Sequence, residues 1–313
     1  MKKVRLLFVI SGIDYALGFD WLEKYLDKKR YQVSFIFLNT IEPELFRRFK
    51  SRGVEVYFLK SGSKKKYPLL FLKLIYLFAK RKPDIIHCHL YEANVLGLSA
   101  AWICGVSKRI YTRHHSTYHF DYHPRMVKVD KFINSMSTQI IAISRNVMSV
   151  LVEREGVDPK KVFIVNHGFE LDKFISANRE AVDVLGERYN PSHRFPVIGV
   201  ISRFTEWKGV QYIIPAFKKL LQDYPNALMI LANAKGDMQV EINEMLNQLP
   251  ENSYRTIEFE RDIASLYRLF DIFVHVPVDK FAEAFGQTYV ESLASGVPSV
   301  VTLSGIACEF VPG

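Results

Sequence analysis

The sequence predicts an α/β protein made of two doubly wound domains that face a central cleft. Short apolar runs alternate with helical periodicity along most of the chain, which is typical of parallel sheets covered by helices on both faces. The alternation lapses once, between about residues 168 and 196, and then resumes. A chain of 313 residues, of which 49% are hydrophobic, is long enough to form two such cores.

The first predicted domain, residues 1–168, consists of repeated strand–helix units. Its strands are predicted at residues 4–10, 33–38, 54–58, 84–89, 109–113, 139–143 and 161–165. Its helices are predicted from about residue 18 and at 42–51, 69–79, 93–104, 125–135 and 145–154. The strand runs are short and mostly apolar, whereas the helix runs repeat their apolar residues every three to four positions.

A polar segment separates this domain from the second. Residues 190–193 read Asn-Pro-Ser-His, and no clear period is visible around them. We therefore predict a linker at 169–196 and a second domain at 197–313. Its strands are predicted at 197–201, 228–232, 254–259, 271–276 and 299–302, and its helices at 210–222, 240–249, 263–270 and 287–295.

The segment 271–302 carries the strongest local signals. A buried strand is followed by a loop, by a helix that begins after Gly286 and stops at Gly296, and by a second strand. Strand, helix and parallel strand at this spacing form a right-handed crossover unit. Ligands of such sheets bind beyond the carboxyl ends of the strands, which predicts a binding loop at residues 277–285.

Two acids bracket this loop and its helix. Glu283 falls just before the helix and Glu291 lies inside it. Between them, Phe285 and Gly286 place backbone N–H groups at the positive end of the helix, where anions bind. The combination predicts a ligand with phosphates at the helix and hydroxyls on the carboxylates. The alternative is that Glu283 is a solvated loop acid and Glu291 only interacts with the helix dipole.

Two cations follow the first strand of the second domain. Arg203 and Lys208 lie at the carboxyl end of that strand, in the crevice expected to contain Glu283. Guanidinium and ammonium groups can take different oxygens of a diphosphate. The loop lacks the GxxxxGK[ST] pattern of a Walker A motif. The alternative is a surface loop with solvated charges.

Ser11 and Gly12 follow the first predicted strand, a place where dinucleotides often bind. The GxGxxG pattern is absent, and Asn39 stands where a dehydrogenase has an acid after its second strand. Both departures argue against a dehydrogenase.

Histidines follow another strand of the first domain. His114 and His115 come directly after the predicted strand 109–113. A histidine at a strand end can act as an acid, a base or a hydrogen-bond donor to a sugar hydroxyl. His119 and His123 add an i, i+4 spacing, which raises a metal site as an alternative. Because HExxH is missing and the neighbouring residues predict a loop, no metal site is predicted.

Composition limits the compartment and the partners. The three cysteines have no CxxC spacing, which argues against a disulfide framework and a structural zinc site and favours a cytoplasmic location. Residues 1–180 carry 31 Lys and Arg against 17 Asp and Glu, hence a net charge of +14. Such a basic half predicts an anionic substrate, membrane surface or nucleic acid as partner. The alternative is that the charge only maintains solubility.

No signal peptide or membrane-spanning segment is predicted, because no apolar run approaches about eighteen residues. The longest apolar helix, 69–79, has clusters of Lys and Arg at both ends. This pattern is typical of an interfacial helix, so we predict peripheral contact with an anionic membrane surface, on its inner face. The alternative is a core helix whose basic side chains reach solvent.

These residues together resemble a known family. Glu283-Ala-Phe-Gly286-Gln-Thr-Tyr-Val-Glu291, followed by Ser-Leu-Ala-Ser-Gly296-Val-Pro298, is similar to the E-x7-E signature of the retaining GT-B glycosyltransferases of family 4. Arg203 with Lys208-Gly209 resembles the phosphate-binding pair of that family, and Tyr111-Thr112-Arg113-His114 resembles its strand-end histidine. His167-Gly168 and Asp172-Lys-Phe174 resemble the segment that closes the first domain.

The resemblance implies a GT-B fold and the transfer of a sugar, with retention, from a UDP- or GDP-sugar to a lipid-linked, polysaccharide or other glycan acceptor. It implies that Glu291 binds the ribose hydroxyls and that Arg203 and Lys208 bind the diphosphate. Glu283 would bind the transferred sugar together with a run of backbone groups. That run is Phe285, Gly286, Gln287 and Thr288.

The first domain is implied to bind the acceptor. His114 would reach the transferred sugar from that domain, and Gly12 would let the first loop approach donor and acceptor. The catalytic set implied is His114, Glu283, Arg203 and Lys208, with the departing phosphate itself deprotonating the acceptor and the two cations stabilising the leaving group. The resemblance implies neither a metal ion nor a separate cofactor, and the sequence contains no DxD motif.

Three features depart from the family pattern. Ala284 replaces a glycine and narrows the space beside the sugar, and His115 doubles the histidine. The chain ends at Gly313, whereas family members usually continue, so we expect the C-terminal part of the second domain to be missing. The competing hypotheses are a GT-B nucleotide-sugar epimerase and a non-catalytic nucleic-acid-binding or anion-binding protein. Scattered basic clusters without RNA-binding aromatic motifs argue against a nucleic-acid partner.

Overall fold

The computed structural model of the protein describes residues 2–310. The chain divides into two compact units between Phe169 and Glu170, here called unit 1 and unit 2. Each unit contains one parallel sheet, which confirms the prediction of two α/β domains. Residues 311–313, which the sequence analysis assigns to the second domain, lie outside the described residues.

The sheet of unit 1 has seven strands in the order β3-β2-β1-β4-β5-β6-β7, all parallel. The strands are β1 Val4–Ser11, β2 Tyr31–Asn39, β3 Glu55–Lys60, β4 Ile85–His89, β5 Lys108–Arg113, β6 Gln139–Ala142 and β7 Val162–Ile164. The strand order reverses between β1 and β4. Gly12, directly after β1, and His89, at the end of β4, therefore lie at the topological switch point, where ligands of such sheets bind.

The helices of unit 1 cover this sheet with apolar faces. They are α1 Leu17–Tyr25, α2 Glu44–Ser51, α3 Tyr67–Arg81, α4 Leu98–Ile103, α5 Tyr118–Tyr122, α6 Met126–Met136 and α7 Arg145–Ser149, with helical turns at Lys64–Lys66, Ala93–Gly97, Val150–Arg154 and Pro159–Lys161. Helix α2 buries Leu45, Phe46 and Phe49, and the ring of Phe49 packs 4.7 Å from that of Phe35 in β2. Residues one turn apart thus form the buried stripe.

The sheet of unit 2 has the order β10-β9-β8-β11-β12. Its strands are β8 Val197–Ile201, β9 Leu228–Ala232, β10 Tyr254–Ile257, β11 Ile272–His275 and β12 Ser299–Val301. Its helices are α8 Asp172–Ile175, α9 Arg179–Tyr189, α10 Val210–Asp223, α11 Gln239–Leu246, α12 Ile263–Tyr267, α13 Gln287–Ala294 and α14 Ala307–Phe310, with a turn at Glu206–Lys208. The switch point lies between β8 and β11, so the loops after these two strands share one edge.

Two hydrophobic clusters cover opposite faces of this sheet. Successive residues of a strand point to opposite sides. Val200 accordingly belongs to one cluster, with Phe217 of α10, and Ile201 to the other, with Tyr267 of α12. Every residue of β8 and β9 is buried. Burial on both faces explains why these strands are continuously apolar in sequence.

The structure differs from the prediction at residues 169–196. This segment contains α8 and α9, and Phe174 and Leu185 belong to the core of unit 2. It is therefore packed chain and not the linker that the sequence predicts. The loop predicted around residues 119–124 is also wrong, because it includes α5. Helix α14 was not predicted either. The other strands and α-helices agree with the prediction apart from shifts of a few residues at their ends.

Across residues 2–310, no helix combines the length and the hydropathy required to cross a bilayer. The longest helix, α3, has 15 residues.

Candidate functional site

An ion pair joins the two loops at the switch point of unit 2. Lys208 Nζ lies 2.5 Å from Glu283 Oε2, and His275 Nε2 lies 3.2 Å from the same oxygen. The side chains of Lys208 and Glu283 are only 16% and 13% exposed. Lys208 follows β8, whereas His275 and Glu283 belong to β11 and the loop beyond it, so sheet order brings them together.

Gly209 allows these loops to meet. Its backbone has φ +74°, and a Cβ at this position would lie 1.9 Å from the carbonyl oxygen of Val276. The neighbouring N–H of Val278 donates to the carbonyl of Trp207 over 3.1 Å. A side chain at position 209 would therefore separate the loop that carries Lys208 from the chain leaving β11.

Glu283 is ionised at neutral pH. Burial raises its pKa, but the hydrogen bond from His275 and the charge of Lys208 outweigh this effect and lower the pKa to about 2. Burial lowers the pKa of His275, so the imidazole is neutral and donates its Nε2–H to the carboxylate. Glu283 can thus accept hydrogen bonds from hydroxyls, but it is too weak a base to remove their protons.

Helix α13 begins directly after this carboxylate. Its first N–H groups have no partner within the helix and form the electropositive end expected at an anion site. Gly286, with φ +86°, forms the N-cap, and Phe285 before it is buried. Gln287 is exposed. The hydroxyl oxygen of Thr288 is buried and makes no hydrogen bond within the described residues.

Glu291 lies one turn further along α13 and is oriented by a tyrosine. The hydroxyl of Tyr267 donates to Glu291 Oε2 over 3.0 Å. Burial raises the pKa of Glu291, and this hydrogen bond partly offsets the effect. Tyr267 is fully buried, so it fixes one oxygen of the carboxylate and leaves the other for a ligand hydroxyl.

Arg203 extends the cationic surface of the loop after β8. It is exposed, and its guanidinium lies 5.9 Å from the ring centroid of Trp207. A cation held over an aromatic face is favourable at such an exposed site. Unit 2 therefore contains eight of the predicted site residues, whereas Gly12 and His114 belong to unit 1.

The two predicted residues of unit 1 lie after β1 and β5. Gly12 has φ +66°, and a Cβ there would meet no atom within 4 Å, so the glycine serves the backbone turn. His114 Nε2 lies 3.1 Å from His89 Nδ1, and its ring stacks on that of His167 at 5.8 Å. Burial and the neighbouring histidines lower the pKa of His114 to about 3, so the ring is neutral.

A second polar cluster of unit 1 tests the metal alternative. His115, His119 and Asp130 offer ligand atoms within 4.8 Å of one another. His115 precedes α5 and His119 lies in it, and the centroids of their rings are 4.1 Å apart. However, Arg113 Nη1 lies 3.3 Å from Asp130 Oδ1, and the same guanidinium contacts Glu155. The buried Asp130 carboxylate is thus already balanced by a cation, and the cluster resembles a structural ion-pair network more than a cation site.

Three residues around the ion pair were not predicted. His275 donates to Glu283, Tyr267 orients Glu291, and the Ser304 hydroxyl accepts from the N–H of Glu283 over 3.0 Å. A histidine within the buried strand β11 was a signal, since buried polar side chains need a partner. Tyr267 and Ser304 carried no such signal, because their partners depend on how the loops fold.

Two family descriptions match consecutive parts of the sequence. Glycosyltransferase Family 4 matches residues 22–173, and Glycosyl transferases group 1 matches residues 186–312. The chain belongs to glycosyltransferase family 4. The predicted membership of family 4 is confirmed, whereas retention of the anomeric configuration stays a prediction.

The individual curated relatives of this family 4 chain have low sequence identity to it. The capsular polysaccharide biosynthesis glycosyltransferase CapM of Staphylococcus aureus is 25% identical over 240 residues, which cover 74% of this chain and 61% of CapM. The Escherichia coli UDP-Gal:α-D-GlcNAc-diphosphoundecaprenol α-1,3-galactosyltransferase is 24% identical over 257 residues, which cover 76% of this chain and 62% of the relative. The chain thus spans about three fifths of the length of these relatives.

Solved structures confirm the GT-B fold. Anabaena Alr3699/HepE in complex with UDP and glucose has a TM-score of 0.81 at 21% identity, covering 99% of this chain and 83% of that one. The UDP-GlcNAc 2-epimerase of Methanocaldococcus jannaschii has a TM-score of 0.63 at 13% identity, covering 95% and 83%.

Proposed function

We propose that this family 4 chain transfers a sugar, with retention, from a nucleotide-diphosphate sugar to a lipid-linked or polysaccharide acceptor. The observation that carries the proposal is the largely buried Lys208–Glu283 ion pair beside the start of α13. It combines a cation and a helix N-terminus for phosphates with an ionised carboxylate for hydroxyls. The distant relatives named for a UDP-sugar and a UDP complex favour UDP as the nucleotide.

Each group of unit 2 has a role consistent with its environment. Lys208 and Arg203 bind the diphosphate, and the N–H groups at the start of α13 bind the same anion. Glu283 accepts hydrogen bonds from the transferred sugar, because it stays ionised. Glu291, with one oxygen held by Tyr267, accepts from the ribose hydroxyls with the other.

In the proposed transfer, the acceptor oxygen bonds to the anomeric carbon as the bond from that carbon to the phosphate oxygen breaks on the same face. The leaving phosphate takes the proton of the acceptor hydroxyl. Because the electron pair of the breaking bond stays on the phosphate oxygen, negative charge grows on the diphosphate before the proton arrives, and the ammonium of Lys208 stabilises it. No step requires Glu283 to exchange a proton, in agreement with its low pKa.

Ligand-dependent thermal unfolding tests the donor site. We expect UDP at about a hundredfold excess over its Kd to add about 2.7 kcal/mol to the unfolding free energy, which raises Tm by several degrees. GDP is the comparison for the base, and NAD is the control for a dinucleotide site. A shift with NAD alone would overturn the proposal.

A nucleotide-sugar epimerase is the second candidate, since one structural neighbour is such an enzyme. The matching family descriptions name transferases, which favours transfer. Product analysis with a labelled UDP-sugar separates the two, because an epimerase forms a new nucleotide sugar without any acceptor.

We also propose that unit 1 contacts an anionic membrane surface through α3. This helix buries Leu70, Leu74 and Phe78 on one side and exposes a second apolar stripe. The stripe consists of Leu69, Leu72 and Tyr76, which are 57%, 62% and 62% exposed. Lysines border it, among them Lys73 and Lys80. An apolar stripe edged by cations suits the headgroup region of an anionic bilayer.

Replacing Leu69 and Leu72 with serine should weaken this contact. We expect the double variant to bind vesicles of phosphatidylglycerol and phosphatidylcholine at least roughly tenfold less tightly, because two apolar side chains no longer enter the interface. Vesicle co-sedimentation measures the effect. Serine at Val184 and Val240, which are 57% and 67% exposed in unit 2, is the matched control. Equal binding to pure phosphatidylcholine would contradict an electrostatic contribution.

A further inference from the structure

Two histidines share a hydrogen bond at the switch point of unit 1. His89 ends β4, and its Nδ1 lies 3.1 Å from Nε2 of His114, the residue directly after β5. The rings of Phe19 and Phe8 surround His89, with centroids 4.8 and 5.9 Å away. His89 is only 5% exposed, and its Nε2 is buried without a hydrogen-bond partner in the described part of the chain.

The unpartnered nitrogen determines which histidine is the donor. Burial lowers the pKa of both rings, so each carries one proton. If His114 donated from Nε2, His89 would keep its own proton on Nε2, as a buried N–H with no acceptor. If His89 donates from Nδ1, only a lone pair remains without a partner at Nε2. Orphaned buried N–H groups are the rarer and more costly case, which favours His89 as donor.

We propose that His89 is a positioning residue that holds His114 in the Nδ1–H tautomer. His114 Nε2 is then occupied as an acceptor, and its Nδ1–H is the group left for a ligand. His114 therefore acts as a hydrogen-bond donor to an oxygen of the transferred sugar or the acceptor, and not as a base. This inference rests on the proposed function only for the identity of that ligand.

His87 supplies the matched control. Its ring lies 4.2 Å from that of His89, but its Nε2 pairs with Thr112 Oγ1 over 2.8 Å. In His87→Gln, the side-chain amide lies near the position of the former ring Nε2, so the pairing with Thr112 should persist. At position 89 the same logic gives two opposite variants. His89→Asn keeps an amide donor near Nδ1, whereas His89→Gln moves the amide to the Nε2 side.

Long-range ¹H–¹⁵N spectra of the histidine-labelled full chain read the tautomer directly. We expect His114 to be protonated at Nδ1 in the wild type, in His87→Gln and in His89→Asn, and to change to Nε2–H in His89→Gln. The kcat/KM for the sugar donor should fall roughly tenfold in His89→Gln. In His89→Asn it should stay within about threefold of the wild-type value. UDP affinity should not change in any of the three variants, since UDP lacks the transferred sugar.

The outcomes separate this inference from the proposed function. Nε2–H at His114 in the wild type, or an unchanged Nδ1–H in His89→Gln, would overturn the role of His89 whatever the activity. If the wild type neither binds UDP nor transfers sugar, the proposed function fails, while the tautomer measurement still decides the role of His89.

Discussion

Replacing Lys208 with methionine is expected to reduce transfer by roughly a thousandfold in kcat/KM. The variant loses a charge-assisted hydrogen bond to the diphosphate, about 1.5–3 kcal/mol, and part of the stabilisation of the leaving group, for which single groups contribute about 10²–10³ in rate. Initial rates with a UDP-sugar and calorimetric titration of UDP measure the two effects separately. A variant with unchanged UDP affinity would show that Lys208 does not bind the diphosphate.

The same substitution is expected to lower stability, because Glu283 would be left as a mostly buried carboxylate without its cation. The side chains of the pair are 16% and 13% exposed, so we expect a loss of up to about 3 kcal/mol, near the lower limit for fully buried pairs. Adding Glu283→Gln to Lys208→Met removes the unpaired charge. The double variant should therefore regain most of the lost stability but none of the activity.

A matched control separates this ion pair from ordinary surface charges. Lys235 and Glu258 form an ion pair of 3.1 Å in the same unit, with side chains 60% and 73% exposed. Exposed pairs contribute little, so Lys235→Met should leave Tm and activity unchanged. Equal effects of the two methionine variants would contradict a special role for the buried pair.

The ion pair also predicts a dependence of stability on pH. The pKa of Glu283 is lowered from 4.5 to about 2 in the folded chain, so folding favours its ionised form. This contribution is complete above about pH 4.5 and is lost as the pH falls towards 2. The difference corresponds to roughly 3 kcal/mol. Comparing urea unfolding of the wild type and Glu283→Gln at pH 6 and pH 3 should show about 2 kcal/mol of it, because the variant lacks this titration.

The strands were predictable because the sheets are covered on both faces. Residues 197–201 and 228–232 were predicted with the bounds of β8 and β9, in which every residue is buried. Full burial requires continuous apolar sequence, and such runs are too short for helices. The strand-end positions of Lys208 and Glu283 followed from the same pattern.

Helix α9 was missed because each of the sequence signals that predict it is weak by itself. Asn178 accepts a hydrogen bond from the N–H of Glu180 over 2.9 Å and caps the helix, and Val182, Leu185 and Tyr189 have the spacing of one face. Yet only Leu185 is fully buried, and polar residues with Pro191 follow directly. The stability of this helix comes from packing against the core that it covers. The periodicity of its own sequence does not reveal that packing.

The pairing within the site needed three-dimensional information. Lys208 and Glu283 are 75 positions apart, and their contact exists because β8 and β11 are neighbours. Sequence placed both at strand ends, but it did not give the distance or the third partner, His275. The low pKa of Glu283, which makes it an acceptor and not a base, follows only from that contact.

Replacing Gly209 with alanine is expected to disrupt the site from the backbone. The new Cβ would lie 1.9 Å from the carbonyl oxygen of Val276, which is a backbone atom and cannot rotate away. A positive φ of +74° adds strain for any residue with a side chain. Together we expect a loss of roughly 2–5 kcal/mol in unfolding free energy, from backbone strain of about 1–2 kcal/mol and overpacking of about 1–3 kcal/mol.

Gly296→Ala is the matched control, because Gly296 has nearly the same backbone conformation as Gly209 but has open space where the added Cβ would lie. Gly296 has φ +71°, and its Cβ would meet no atom within 4 Å. It should cost only the backbone strain, about 1–2 kcal/mol. The difference between the two variants, measured by urea unfolding with Trp207 fluorescence, therefore reports the contact with Val276 alone.

The affinity for UDP distinguishes the two glycine variants more sharply than their stability does. If Gly209→Ala displaces the loop after β8, Lys208 moves away from Glu283, and UDP affinity should fall even below the unfolding temperature, where the variant is folded. Gly296→Ala leaves the loop in place and should bind UDP like the wild type. Equal losses of stability and an unchanged UDP affinity in Gly209→Ala would mean that the loops can separate without cost, and that their close approach does not build the donor site.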